Sequence, residues 1–226
     1  MSFFKRALLK NFSVVLFLFP FFSGAQAQTI WKLTDTLLVG GQQPTVLGRP
    51  QIVAGAKNTT SLFFDGVDDG LVVPVNPVAG RKAFTVEVLF RPDGDGPTAP
   101  RMLHWEDAEG NRGTIEGRLT PDRQWYLDAF LKNGKLNKGL TLIDSTKLHP
   151  TDQWVWAAMV YDGKTMRSYI NGKQELEGMV DIPVMGSGNI AIGVRLNKVN
   201  WFKGQIGEVR FHPKALKRKR LQRVGN

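Results

Sequence analysis

The residues of this chain that could do chemistry gather in two places. The first is FDGVDDG (Phe64 to Gly70), where Asp65, Asp68 and Asp69 bring three carboxylates close together between glycines. Calcium takes several oxygen ligands, and such a loop could wrap one. The same residues also make turns unaided, because Asp side chains accept hydrogen bonds from backbone amides just downstream. Three acids fall short of an EF-hand, so both readings stay open. The second place is the middle of the chain: His104, then Glu116 and Arg118, then Tyr126 and Asp128, in successive runs between Met102 and Leu131. Residues two apart on a strand point the same way, so Glu116 shares a face with Arg118, and Tyr126 with Asp128. An aromatic platform with arginine and carboxylate groups beside it is how a protein grips a sugar. A solvated sheet face with paired charges would have the same composition.

Other chemistries find little support. The chain has no cysteine, and neither a G-x-S-x-G elbow nor a His/Cys cluster for zinc. His104, His149 and His212 are scattered and show no partner pattern.

The elements that must position these groups are short strands. In FTVEVLFR, Phe84, Val86, Val88 and Phe90 share one face while Thr85, Glu87 and Arg91 share the other. WVWAAMVY (Trp154 to Tyr161) is apolar on both faces, which predicts a central strand covered on both sides. Asp162-Gly163 and Asn171-Gly172 are tight-turn dipeptides expected to take positive φ at both positions, and Asn133-Gly134 marks a further hairpin. Strands at regular spacing with such turns predict an all-β, antiparallel sandwich. Phe84, Val86, Val88, Trp154, Trp156 and Ile192 are its expected core.

The order of phrases FFDGVDDGLVVP, FTVEVLFRP, WVWAAMVYDGKTMRSYINGK, GNIAIGVR and WFKGQIGEVRFHPKAL resembles the laminin G-like domains, the concanavalin A-like jelly roll of lectins and glucanases. The resemblance implies that IWKLTD (Ile30 to Asp35) opens the fold, that GRPQIV (Gly48 to Val53) leads into the FDG phrase, and that the last long strand returns beside the first. It places Arg195 and Trp201 beside the sheet that carries the central group, so the implied ligand-binding set on a concave face is His104, Glu116, Arg118, Tyr126, Asp128, Arg195 and Trp201. It also implies calcium on the sandwich rim, with Glu208 joining Asp65, Asp68 and Asp69 as a ligand. Gly207 stands where the family commonly has Asp, which removes one acid from that region. Related glucanases carry their acids on one strand as E-x-D-x-E, and no such run occurs here, which argues against a retaining hydrolase.

Composition sets the setting. Lys5, Arg6 and Lys10 precede an apolar run, Phe12 to Phe22, too short to span a bilayer, and Ala25-Gln26-Ala27 suits a cleavage site. Residues 1–27 therefore read as a signal peptide and residues 28–226 as one sandwich domain with a basic tail. A cysteine-free exported domain fits a bacterium, secreted or periplasmic. Formal net charge is +10, three positives of which belong to the leader, so about +7 remains. Much of it lies in KRKRLQR (Lys217 to Arg223), which reads either as a solvated tail or as an attraction for anionic surfaces. The expected partner is a glycan or anionic cell-surface polymer; no nucleic-acid recognition motif is present. Three functions remain open: a binding module, a glycan-active enzyme built on the central His/Glu/Arg/Asp group, and an envelope interaction protein.

Overall fold

Apolar–polar alternation broken by glycine, asparagine and aspartate gives strands along nearly the whole chain, as a computed structural model describing residues 28–225 shows. The leader assigned to residues 1–27 lies outside the described residues. The N-terminal third forms β1 (Thr29–Lys32), β2 (Thr45–Leu47), β3 (Gln51–Ala54), β4 (Thr60–Asp65), β5 (Gly70–Val73) and β6 (Phe84–Pro92). The middle forms β7 (Arg101–Asp107), β8 (Arg112–Leu119), β9 (Gln124–Asn133), β10 (Lys138–Ile143) and β11 (His149–Pro150). The remainder forms β12 (Val155–Tyr161), β13 (Thr165–Ile170), β14 (Lys173–Met179), β15 (Gly188–Ile192) and β16 (Lys203–His212). Two single 3-10 turns, Ala56–Asn58 and Arg218–Arg220, are the helical segments among the described residues.

Two antiparallel sheets result. The first runs β14-β13-β12-β6-β16-β4-β3, and the second β10-β9-β8-β7-β15-β5-β2, with β11 added against β9. β1 pairs with β16, so the last long strand does return beside the first. Apolar side chains of the inner faces interlock as aromatic edges: Phe84 meets Trp105 at 6.4 Å between ring centroids, and Phe90 meets Trp125 at 5.2 Å. Phe84, Val86, Val88 and Ile192 lie in this core as expected. The two other expected core residues do not. Trp154 precedes β12 and is only half-buried, whereas Trp156 is buried as expected but outside the inter-sheet cluster, on the outer face beneath the Arg210 guanidinium, 5.1 Å from its ring. Strand β12 is apolar on both faces, so alternation could not tell the inner face from the outer.

The turns differ in detail. At Asn171-Gly172 both residues take positive φ (46° and 70°), the geometry of a two-residue hairpin. At Asp162-Gly163 only Gly163 does (97°); Asp162 instead accepts the amides of Lys164 and Thr165 on its carboxylate.

The basic tail is not simply solvated. It crosses the outer face of the first sheet with Leu221 buried against Ala158, Val160 and Tyr169, while Lys217, Lys219 and Arg220 stay exposed. This explains why the outward residues Thr85 and Glu87 are fully buried. Thr85 Oγ1 donates to Lys214 O and accepts from Leu216 N. The Glu87 carboxylate receives Gln222 N at 2.7 Å and meets His212 Nε2 at 2.9 Å. Removing one partner of a buried polar pair leaves the other without compensation. Glu87→Ala is therefore expected to cost about 3 kcal/mol or more and to expose residues 216–222 to hydrogen exchange. Urea unfolding and amide exchange of the variant check both effects.

Candidate functional site

Strands β7, β8 and β9 place the central residues on the outer face of the second sheet. Their inward residues, Trp105, Ile115, Trp125, Leu127, Ala129 and Leu131, fill the core, and so the residues between them must face out. Register puts Arg112 opposite Lys132, Thr114 opposite Phe130, Glu116 opposite Asp128, and Arg118 opposite Tyr126. His104 is opposite Thr114 on one side and Ala191 of β15 on the other.

These neighbours form a buried ionic network. Arg118 donates from Nε (2.9 Å) and Nη2 (2.6 Å) to the same oxygen of Asp128, Oδ2, leaving Oδ1 buried and without a hydrogen bond. Glu116 forms ion pairs with Arg101 and Arg118 and accepts Thr114 Oγ1–H at 3.0 Å. Burial, together with the charges of Arg118 and Arg195, brings Arg101 down to about 10, still cationic at neutral pH. Two cavities adjoin over this floor. One, of about 600 Å³, includes His104, Glu106, Asn189 and Asn197 in its lining; the other, of about 200 Å³, includes Arg101, Glu116, Asp128 and Phe130; Arg112 and Arg195 line both.

His104 ties the floor to the loop that carries Arg195. Its Nδ1 accepts Leu196 N–H at 3.2 Å, so a neutral ring keeps its proton on Nε2, which has no hydrogen-bond partner and lies 3.5 Å from Glu106 Oε2. Burial, with Arg195, Arg112 and Arg101 nearby, brings His104 from 6.5 down to about 3. Asp107 fixes the rim, accepting the amides of Glu109, Asn111 and Gly186.

Of the residues expected from sequence, His104, Glu116, Arg118, Asp128 and Arg195 come together at these cavities. Tyr126 sits beside Arg118, half-buried, and Trp201 lies just before β16; neither lines either of these two cavities. The aromatic residue that does is Phe130, with the Arg112 guanidinium 5.4 Å from its ring centroid. Arg101, Arg112 and Phe130 were missed, although Arg112 lies two alternations upstream of Glu116 on the same strand. The other histidines also prove to meet carboxylates: His149 lies 2.8 Å from Glu175, and His212 contacts Glu87. Neither lines the two cavities.

The acidic loop forms a separate group. Oxygens of Asp65, Asp68 and Asp69 lie within 4.8 Å of one another, a hard-oxygen set that suits calcium. Two of the carboxylates already hold the loop: Asp65 Oδ1 accepts the amides of Val67, Asp68 and Asp69, while Asp69 accepts those of Arg49 and Asp65. Burial above all pushes the Asp69 carboxyl up, and the Asp65 and Asp68 charges add to this. Glu208 lies outside the group and pairs with Arg210.

The comparisons agree with the fold. Residues 64–222, more than half of the chain, match the concanavalin A-like lectin/glucanases superfamily, and the chain belongs to that family. Mouse pappalysin-1 is 30% identical over 123 residues, which are 50% of this chain and 8% of that protein, so the chain spans only a small part of this relative. Domain 4 of AbnA, an extracellular arabinanase from Geobacillus stearothermophilus solved with arabinotriose, superposes with a TM-score of 0.60 at 18% identity, covering 84% of this chain and 94% of that domain. The binding domain of botulinum neurotoxin serotype D superposes with a TM-score of 0.59 at 12% identity, over 84% of this chain and 48% of that one.

Two measurements test these assignments. A histidine neutral in the fold but protonated when unfolded makes stability fall as pH drops from 6.5 toward about 3. His104 should contribute at most about 1.4 kcal/mol per pH unit to that slope, and melting temperatures across pH are expected to be flatter in His104→Asn. With its carboxylates serving as turn formers, the acidic loop is expected to give superimposable melts in chelator and in about millimolar calcium. A calcium-dependent rise lost in Asp68→Ala would instead assign it an ion.

Proposed function

We propose that this protein is an exported glycan-binding module that takes its ligand on the outer face of the second sheet. The observation that carries this reading is a pair of buried polar atoms without hydrogen bonds, Asp128 Oδ1 beside the smaller cavity and His104 Nε2, 3.5 Å from Glu106, beside the larger. Buried polar groups without partners are costly, and a ligand hydroxyl can satisfy both an acceptor and a donor. Phe130 lines the same cavity as Asp128 and adds an apolar ring, and Glu116 and Arg118 offer further polar contacts. Membership of a lectin and glucanase superfamily, and the arabinotriose held by the AbnA domain, support a saccharide as ligand. Among the described residues no helix is long and apolar enough to cross a membrane. Export rests on the leader-like residues 1–27.

A hydrolytic reading would use Glu116 and Asp128, which face each other across β8 and β9. Both carboxylates are already engaged by Arg101 and Arg118, so neither is placed to hand a proton to a leaving group. Binding is therefore favoured over turnover.

Residues 28–226 on a glycan array, with and without calcium, are expected to retain a defined set of saccharides and to release no product in a hydrolase screen. Asn189 is exposed at the mouth of the larger cavity, so Asn189→Trp should block binding with an unchanged melting temperature. Asp128→Asn should weaken binding by about tenfold or more, the scale of a hydrogen bond to a charged group. Binding untouched by both variants would move the site elsewhere, and blank results in both screens would leave an envelope interaction protein.

A further inference from the structure

Four arginines stand at the cavity floor, and they are not equivalent. Arg101 and Arg118 are engaged by Glu116 and Asp128. Arg112 and Arg195 form no ion pair and no side-chain hydrogen bond among the described residues; the Arg112 guanidinium lies over the ring of Phe130. Both are partly buried, and both line the two adjoining cavities. We propose that Arg112 and Arg195 are the two jaws of an oxyanion clamp, so that the saccharide bound here carries carboxylate or sulfate groups. The inference rests on the glycan-binding reading of the same face and names its ligand class.

A guanidinium group presents paired N–H donors in a plane that matches a carboxylate or sulfate oxygen pair. Taking such a cation partly out of water without a counter-charge is unfavourable, and a ligand oxyanion would supply that charge. A neutral sugar would not. The two cations also press on each other: burial and then the Arg195 charge lower Arg112, with Glu106 opposing. Glu106 lies within ion-pair distance of His104 and of neither arginine.

The second jaw is set before any ligand arrives. Arg195 N donates to Val199 O at 3.1 Å, Lys198 N donates to Arg195 O at 2.8 Å, and Leu196 N is held by His104. Lys198 and Asn200 take left-handed φ values of 59° and 60°, which the loop's hydrogen bonds must hold in place. A loop already ordered loses little entropy on binding. His104 is thus a positioning residue for Arg195.

The test is a glycan array holding neutral, uronate-bearing, sialylated and sulfated saccharides, followed by titration calorimetry of each hit and, for carboxylates, of its methyl ester. Hits are expected among the anionic saccharides, with the methyl ester weaker by at least about tenfold. Arg112→Gln and Arg195→Gln should each weaken binding by a similar factor, with melting temperatures reporting on folding. Retained carboxylates against retained sulfates identify the source of the oxyanion. A triple variant, Lys217→Gln with Lys219→Gln and Arg220→Gln, removes tail charges on the opposite side of the sandwich and should bind normally. Neutral hits unaffected by either arginine variant would overturn the clamp and leave the glycan reading standing. Binding lost in the tail variant and kept in the arginine variants would overturn it too, by placing the anion on the tail. An array with no hits would overturn both readings.

Discussion

The outer face of the second sheet depends on a steric fit directly beneath it. Trp105 lies over Gly113, its partner across β7 and β8, so closely that a Cβ at residue 113 would fall 2.1 Å from the indole ring. The ring also meets Phe84 of the opposite sheet edge-on, at an interplanar angle of 87°. Trp105 sits between His104 and Glu106, and Gly113 between Arg112 and Thr114, so the apolar fit below sets the spacing of the charges above. A dry layer under the floor also strengthens electrostatic interactions there and makes an unpaired charge more expensive. The ionic network and the two unmatched arginines follow from that combination.

The two sheets use their outer faces in opposite ways. On the first, the tail covers Thr85 and Glu87 and satisfies them with its own backbone amides and with His212. On the second, His104, Glu116 and Asp128 are buried as well, and some of their polar atoms stay unmatched. Burial of polar groups is common to both faces; what differs is whether the chain itself supplies the partners.

Period-two alternation made the strands, the sandwich and the shared face of Glu116 with Arg118 legible in the sequence, because the pleat of a strand is a local property. The same rule extended along β8 would have reached Arg112 and Thr114. Arg101 was hidden by a register irregularity between residues 101 and 103, where simple alternation fails. Trp156 looked like core because alternation fixes that it opposes Val155, and not which of them meets the other sheet. The tail misled for a different reason: its charges do face water, and its anchoring depends on Leu221, with Ala215 and Leu216 packed beside it, and on partners more than a hundred residues away in sequence. Long-range pairing leaves no periodic trace.

The two cavities extend across strands, from Thr141 on β10 to Val72 on β5. Six neighbouring strands at about 4.8 Å spacing make a track roughly 24 Å long. A single sugar would occupy only a fraction of it, whereas a chain laid across the strands would touch the floor at several points. Each such contact is individually weak, and units tethered in one polymer rebind at high effective concentration. On the glycan-binding proposal, such a track would measure chain length as much as hold a single sugar.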